Sequence, residues 1–296
     1  MREAAACGNV FLCIPAEFLA DDTSIQATAP PGATTWVAYC RGETRRRCAL
    51  CSPSTSFPIE IPFTPSLFLT FSLLLSPRLQ PYFNALCGTG YRLDHSPFIL
   101  QQRVGADGFV LHGGAVDDAG RFDHVLAYDV RDGHPRCTLL AASLQLTDTA
   151  AGEGGFVILP GSHKSAFKVP PGLRASPGGA GVQPALAAGD VLLFSEAAAH
   201  GTLAWKGAAT RRVALYRFSP ATCGYGRGYV RPGSSVWPEA FREGMSPAEL
   251  AVLEPPYASR LDRPAPAQDG VSTVVPEPRA EFKKAFDASV FGETYF

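Results

Sequence analysis

The sequence predicts a mainly β protein: a jelly-roll of two antiparallel sheets with flanking helices. Three observations predict it. Between Pro97 and Phe218 eight short apolar runs follow one another. Turn residues punctuate them at Gly105, Asp117-Asp118, Asp132-Gly133, Gly152 to Gly155 and Gly189-Asp190. No helical period intervenes, and parallel strands would need crossover helices, so two antiparallel sheets closed on each other remain.

The runs are PFILQQRV (97–104), GFVLH (108–112), HVLAYDV (124–130), TLLAASLQLTD (138–148), GFVILP (155–160), DVLLFS (190–195), HGTLAW (200–205) and RRVALYRF (211–218). In SLQLTD, Leu144 and Leu146 face one way while Ser143, Gln145 and Thr147 face the other, as in a half-buried strand with a polar face. Ser143 and Gln145 are therefore candidates to line a pocket. Upstream, SPRLQPYFNALCGTG reads as a helix: Pro77 suits its start, Leu79, Phe83 and Leu86 fall at helical spacing, and Gly88 and Gly90 stop it. Residues 171 to 188, rich in Gly, Pro and Ala, form a long loop of the kind used as a lid or entrance. SPAELAVL (246–253) predicts a short helix capped by Ser246 with Pro247 at its first position. EFKKAFDASVF places Phe282, Phe286 and Val290 on one helical face, expected to dock on the barrel. The chain thus divides into a poorly defined region (1–75), a β core with its leading helix (76–222) and an extension of short helices (223–296).

Composition excludes several classes. The 296 residues, 46% hydrophobic, suffice for one large domain, and a net charge of -1 gives no field to attract nucleic acid or an anionic membrane. The run from Pro65 to Leu75 is shorter than the ~20 apolar residues that span a bilayer, and Pro15 and Glu17 spoil the apolar stretch 4–20 as the core of a signal peptide. An intracellular, cytoplasmic location is expected. Eight scattered cysteines do not read as a disulfide scaffold, and Cys48-x-x-Cys51 lacks the second pair that a structural zinc requires. A small-molecule substrate is the expected partner; the composition leaves oligomeric state open.

The chemistry lies in the histidines. His112 closes one strand and His200 opens another 88 residues later, each beside a glycine. A barrel can bring such residues together, and imidazoles pointing into it suit iron, zinc or copper. Nucleophilic catalysis is not expected, since neither GxSxG nor a Cys/His arrangement occurs. Arg211 follows His200 by eleven residues. Inside a barrel an arginine needs an anion, and its fork matches a carboxylate; the plainer alternative is that Arg211 and Arg212 are an exposed pair at a strand start.

The stretches LHGG (111–114), GEGGFVILPGSHKSAF (152–167), GDVLLFSEAAAHGTLAW (189–205) and RRVALYRFSP (211–220) together resemble the phytanoyl-CoA dioxygenase family of Fe(II)/2-oxoglutarate oxygenases. PGSHK and the spacing from His200 to Arg211 carry the resemblance most specifically. It covers roughly residues 76 to 222 and implies a cupin-like double-stranded β-helix. It implies that His112 and His200 ligate Fe(II), and that Arg211 binds the distal carboxylate of 2-oxoglutarate. His163 of PGSHK matches a recurring loop and is expected to be structural. His95, His124 and His134 have no match and are expected at the surface or hydrogen-bonded.

The departure from the family is at Gly114. The usual triad reads His-x-Asp; this chain reads His112-Gly113-Gly114 and contains no HxD or HxE. Three readings are open. Asp117 or Asp118 folds back to supply the carboxylate, with Glu196 a poorer source. The position stays open and takes chloride, as in iron/2-oxoglutarate halogenases that carry a small residue there. Or iron binding is lost and the barrel is a non-catalytic binding module. The two glycines also suit a tight turn at positive φ.

Overall fold

The computed structural model describes residues 11–14, 73–117, 119–165, 167–226, 237, 239–256, 264–275 and 280–292. Its strands are β1 (Phe11–Ile14), β2 (Arg92–Leu93), β3 (Phe98–Gln102), β4 (Phe109–His112), β5 (Tyr128–Arg131), β6 (His134–Cys137), β7 (Leu140–Gln145), β8 (Gly155–Ile158), β9 (Val191–Ser195), β10 (His200–Leu203), β11 (Arg211–Ser219), β12 (Ala265–Pro266) and β13 (Thr273–Val274). The helices are α1 (Gln80–Cys87), α2 (Pro171–Ala175), α3 (Glu239–Arg242), α4 (Pro247–Val252) and α5 (Glu281–Phe291).

Two antiparallel sheets make the barrel. The larger runs β1-β9-β7-β11, with β2 and β3 both on the far side of β11; the smaller runs β4-β10-β8. This is the mainly β, double-stranded β-helix architecture that the sequence predicts. The period-2 alternation of the central strands divides the larger sheet into two faces. Ala141, Leu192, Phe194 and Leu215 turn inward and pack with Phe156 and Ile158 of the smaller sheet. Leu140, Ala142, Leu144, Val191, Leu193, Ala214, Tyr216 and Phe218 turn outward into a second core with Leu79 and Phe83. There the Phe83 and Phe218 rings stack with centroids 4.2 Å apart.

That second core corrects one expectation. The strand around 138–148 is buried on both faces, because α1, Leu73 to Leu75 and the region of α3 and α4 cover the side opposite the barrel interior. α1 begins at Gln80, with Pro81 in its first turn instead of Pro77, and ends at Gly88 with φ 87°. α4 has the predicted Ser246 cap, completed by Glu249 as a capping box, and buries Ala248, Ala251 and Val252. α5 does not dock as expected: Phe282, Phe286 and Val290 are 79%, 52% and 54% exposed. The run 124–130 yields a strand only from Tyr128, paired with β6 across Asp132-Gly133, where both residues take positive φ as a tight hairpin turn requires. The segment 171–188 is less open than a bare loop: it contains α2, and bridges Ile158↔Val182 and Thr149↔Leu186 fasten it. Most of the 1–75 region, including Cys48 and Cys51, lies outside the described residues. Among the described residues no helix is long and apolar enough to cross a membrane.

Candidate metal centre

β4 and β10 are antiparallel neighbours, so the end of one lies opposite the start of the other. His112 and His200 are direct cross-strand partners, with ring centroids 4.3 Å apart. His200 is 5% exposed and packs against Phe194, centroid to centroid 4.7 Å. Each imidazole has its Nδ1 on a main-chain carbonyl: His200 on Ala198 O at 2.8 Å and His112 on Val110 O at 3.2 Å. A carbonyl only accepts, so each Nδ1 carries the hydrogen and donates it. The neutral rings then keep their lone pairs on Nε2, the tautomer of a metal ligand. Burial lowers the pKa of His200 more than the nearby Glu196 charge raises it, which favours the neutral ring.

The glycines after His112 are needed for close approach and for backbone shape. A Cβ on Gly113 would stand 2.6 Å from both Ala198 O and Glu196 O, and its φ is +84°. Gly114 has φ +98°, and its N–H donates to Glu196 O at 3.1 Å. Both lie in the left-handed region that favours glycine. The turn 112–114 therefore seats directly on the main chain of 196–198, just before His200.

The structure commits Asp117 elsewhere. Its Oδ1 accepts from the amides of Ala119 and Arg121, and its Oδ2 from Arg121 Nε, all at 2.9 Å, closing its own exposed turn. Asp118 lies outside the described residues. Glu196, the poorer candidate by sequence, is the carboxylate beside the histidine pair: its Oε2 is 3.5 Å from His200 Nε2. Its Oε1 accepts from Arg217 Nε at 2.6 Å. Burial would raise its pKa, but the proximity of the His200 imidazole, the Arg217 guanidinium with its hydrogen bond, and the His112 imidazole outweighs that and holds it below the usual value. Among the described residues no three His, Cys, Asp or Glu side chains already form a metal-holding group, so capture of a metal involves side-chain adjustment.

Arg211 and Arg212 split as adjacent strand residues must. Arg211 is 3% exposed and Arg212 is exposed. The Arg211 guanidinium lies over Gly155 of the opposite sheet, where an added Cβ would stand 2.8 Å from its Nε. Arg211 Nη1 donates to Gln102 Oε1 at 3.1 Å; its Nε, also buried, has no hydrogen-bond partner among the described residues. Burial alone lowers its pKa to about 10, and no carboxylate offsets it. Arg211 is therefore not half of an exposed arginine pair. Ser143 and Gln145 sit across from Leu215 and Val213 on the same inward face. Gln145 Nε2 donates to Ser143, while its buried Oε1 has no partner among the described residues.

Gln102 and Arg217 were missed by sequence reasoning. Gln102 is the cross-strand partner of Arg211, a register that no local pattern reveals. His163 is buried with its ring edge against Tyr128, and burial lowers its pKa to about 4. Beside it, Ser162 Oγ accepts from Ala199 N–H at 2.8 Å and so pins the PGSHK turn next to His200. His95 pairs with Asp94 at 2.8 Å; His124 and His134 are exposed.

A search of curated proteins returns no match. Among solved structures, HygX from Streptomyces hygroscopicus with nickel and 2-oxoglutarate bound is 23% identical, covering 58% of this chain and 75% of that one, with a TM-score of 0.49. The non-haem α-ketoglutarate-dependent epimerase SnoN from nogalamycin biosynthesis is 19% identical, covering 52% of this chain and 58% of its own, with a TM-score of 0.37. The profile of the phytanoyl-CoA dioxygenase family (PhyH) matches residues 85–213, from the last turn of α1 through both histidines and Arg211. Over those residues the chain is similar to the phytanoyl-CoA dioxygenase family, as the motifs of its sequence suggest.

Proposed function

We propose that this chain hydroxylates a C–H bond of a small organic molecule, using Fe(II) and 2-oxoglutarate. The observation that carries the reading is Arg211, a guanidinium buried without an acidic partner among the described residues, on the inward face of the barrel that also holds His200. The donor set fits the cofactors: two imidazoles whose Nδ1 atoms rest on carbonyls, which leaves Nε2 of each to serve iron, and one buried arginine with no acidic partner among the described residues for a carboxylate. When bound, iron and 2-oxoglutarate supply the oxidising chemistry, in which decarboxylation of the cosubstrate drives oxidation of the substrate.

The chain's own part is to bind, orient and exclude water. His112 and His200 would hold iron through Nε2. Arg211 would grip the far carboxylate of 2-oxoglutarate, steered by the Gln102 amide and given room against the opposite strand by the missing side chain of Gly155. Phe156, Phe194, Leu192 and Leu215 make the surrounding interior apolar, which strengthens each of these charge contacts. Ser143 and Gln145 offer polar atoms toward a bound molecule, and the segment 171–188 flanks β8.

An open site taking chloride gains no support from the lining of the glycine turn. What faces Gly113 and Gly114 is the carbonyl oxygens of Glu196, Ala197 and Ala198, an electronegative surface unsuited to a second anion. Incubation with Fe(II), oxygen and 2-oxoglutarate tests the reading. Conversion of 2-oxoglutarate to succinate in the presence of Fe(II) is expected. Tight binding of both without any turnover, across a panel of small-molecule substrates, would make the barrel a binding module instead.

A further inference from the structure

We propose that Glu196 supplies the carboxylate of the metal centre that Gly114 cannot. The inference rests on the reading of His112 and His200 as iron ligands, and four features of the structure carry it.

Glu196 lies where the missing aspartate's own backbone docks. Gly114 N–H donates to Glu196 O, so the residue without a carboxylate is seated on the residue that has one. Next, the donor spacing suits one ion. First-row metal bonds of ~2.0–2.2 Å at angles near 90–110° place two donors of one ion roughly 3–3.5 Å apart, and Glu196 Oε2 and His200 Nε2 are separated by 3.5 Å.

Third, the two oxygens of Glu196 are divided between tasks. Arg217 takes Oε1 at 2.6 Å, and Arg217 Nη1 is itself 3.2 Å from His95 Nε2, whose Nδ1 rests on Asp94 at 2.8 Å. This chain fixes the carboxylate plane and leaves Oε2 toward His200, as outer hydrogen bonds do for ligating carboxylates. Fourth, His200 Nδ1 donates its hydrogen to Ala198 O, so on a neutral ring Nε2 and Oε2 are two acceptors facing each other with no hydrogen between them. A cation between them satisfies both. The alternative is a purely structural ion pair with a protonated His200.

Titration of the purified chain with Fe(II) under argon, and with Co(II) followed by its visible absorption, separates the two. Glu196→Gln keeps the size and the hydrogen-bonding edge but removes the anion. It is expected to weaken Fe(II) and Co(II) binding at least ~10-fold, the lower end of the loss for removing even an outer partner, and to change the Co(II) spectrum. Formate is expected to restore part of the affinity of Glu196→Ala. If Glu196→Gln binds both metals as the unaltered chain does, while His112→Ala and His200→Ala lose them, the proposal is overturned and the histidine site stands. If the histidine variants also bind as the unaltered chain does, the underlying site is wrong. Should the Glu196 variants fail to fold, the unaltered chain still decides: with Glu196 in place its Co(II) spectrum should ignore chloride, and a chloride-dependent change would mean that the position is open.

Discussion

The two faces of the larger sheet are built from the same strands and differ in almost everything else. On β7, β9 and β11 the outward residues, Ser195 and the exposed Arg212 apart, are apolar and pack under α1 and the α3–α4 region, where Phe83, Tyr91 and Phe218 form one aromatic cluster. The inward residues include Ser143, Gln145 and Arg211, beside the apolar Ala141, Leu192 and Leu215, and Arg217, which pairs with Glu196. One step along a strand thus separates a residue that holds the fold from one that offers a charge to a ligand. The inward polar groups cost stability unless something pairs with them, and an incoming cosubstrate would offset that cost at Arg211.

The largest effect should come from the metal ligands themselves. His112→Ala and His200→Ala are expected to abolish Fe(II) binding measured by calorimetry while leaving the circular dichroism spectrum of the fold unchanged. Wild-type iron affinity in both would overturn the site. Phe218→Ala, on the outward face, should lower unfolding stability by ~3–5 kcal/mol, the usual range for a buried aromatic truncated to alanine. Its 2-oxoglutarate affinity, measured where the variant is folded, should be unaltered; a large loss would mean that the two faces are coupled.

Arg211→Ala should weaken 2-oxoglutarate binding by ~1.5–3 kcal/mol, the range for a hydrogen bond to a charged group, and Arg212→Ala by much less. The reverse ranking would contradict the inward placement of Arg211.

Asp94 gives the smallest of these effects and shows that buried charge is not by itself a mark of the site. Burial would raise its pKa, but hydrogen bonds from His95 and from the Tyr225 and Gly226 amides, with the Arg92 charge, bring it from 3.8 to about 2. A depressed carboxylate pKa means stability present above the unfolded value and lost as pH falls through the folded one. Acid unfolding should therefore draw on ~2 kcal/mol between about pH 4 and pH 2, and Asp94→Asn should flatten that part of the profile. An unchanged acid limb would show that Asp94 is not held as described.

Much of this was legible in the sequence. Eight apolar runs gave rise to strands because alternation and turn residues act locally. The Ser246 cap of α4 was visible for the same reason. The helix α5 shows the limit: Phe282, Phe286 and Val290 do share a face, but periodicity says only that a face exists, not that a neighbour covers it. The strands β2 and β6 were not anticipated because Arg92–Leu93 and His134–Cys137 carry little apolar signal of their own. In the site, His112, His200 and Arg211 were found through a family pattern, and their inward setting agrees with it. Gln102, Arg217 and the closeness of Glu196 were beyond reach, since each depends on cross-strand register or on a side chain's path across the interior. Asp117 looked promising by proximity along the chain, yet Arg121 and two amides had stronger claims on it.

The turn at Gly113 and Gly114 bears on how reversible this site is. Gly114 has room for a side chain, since the nearest atom to an added Cβ is Ala197 O at 3.9 Å, but its φ of +98° is one that aspartate rarely adopts. Gly114→Asp would restore His-x-Asp on paper and strain the main chain in fact. It would also pull against the amide that ties position 114 to Glu196. A single substitution is therefore not a repair: return to the usual triad requires the turn at 113–114 and its seat on residues 196–198 to be rebuilt together.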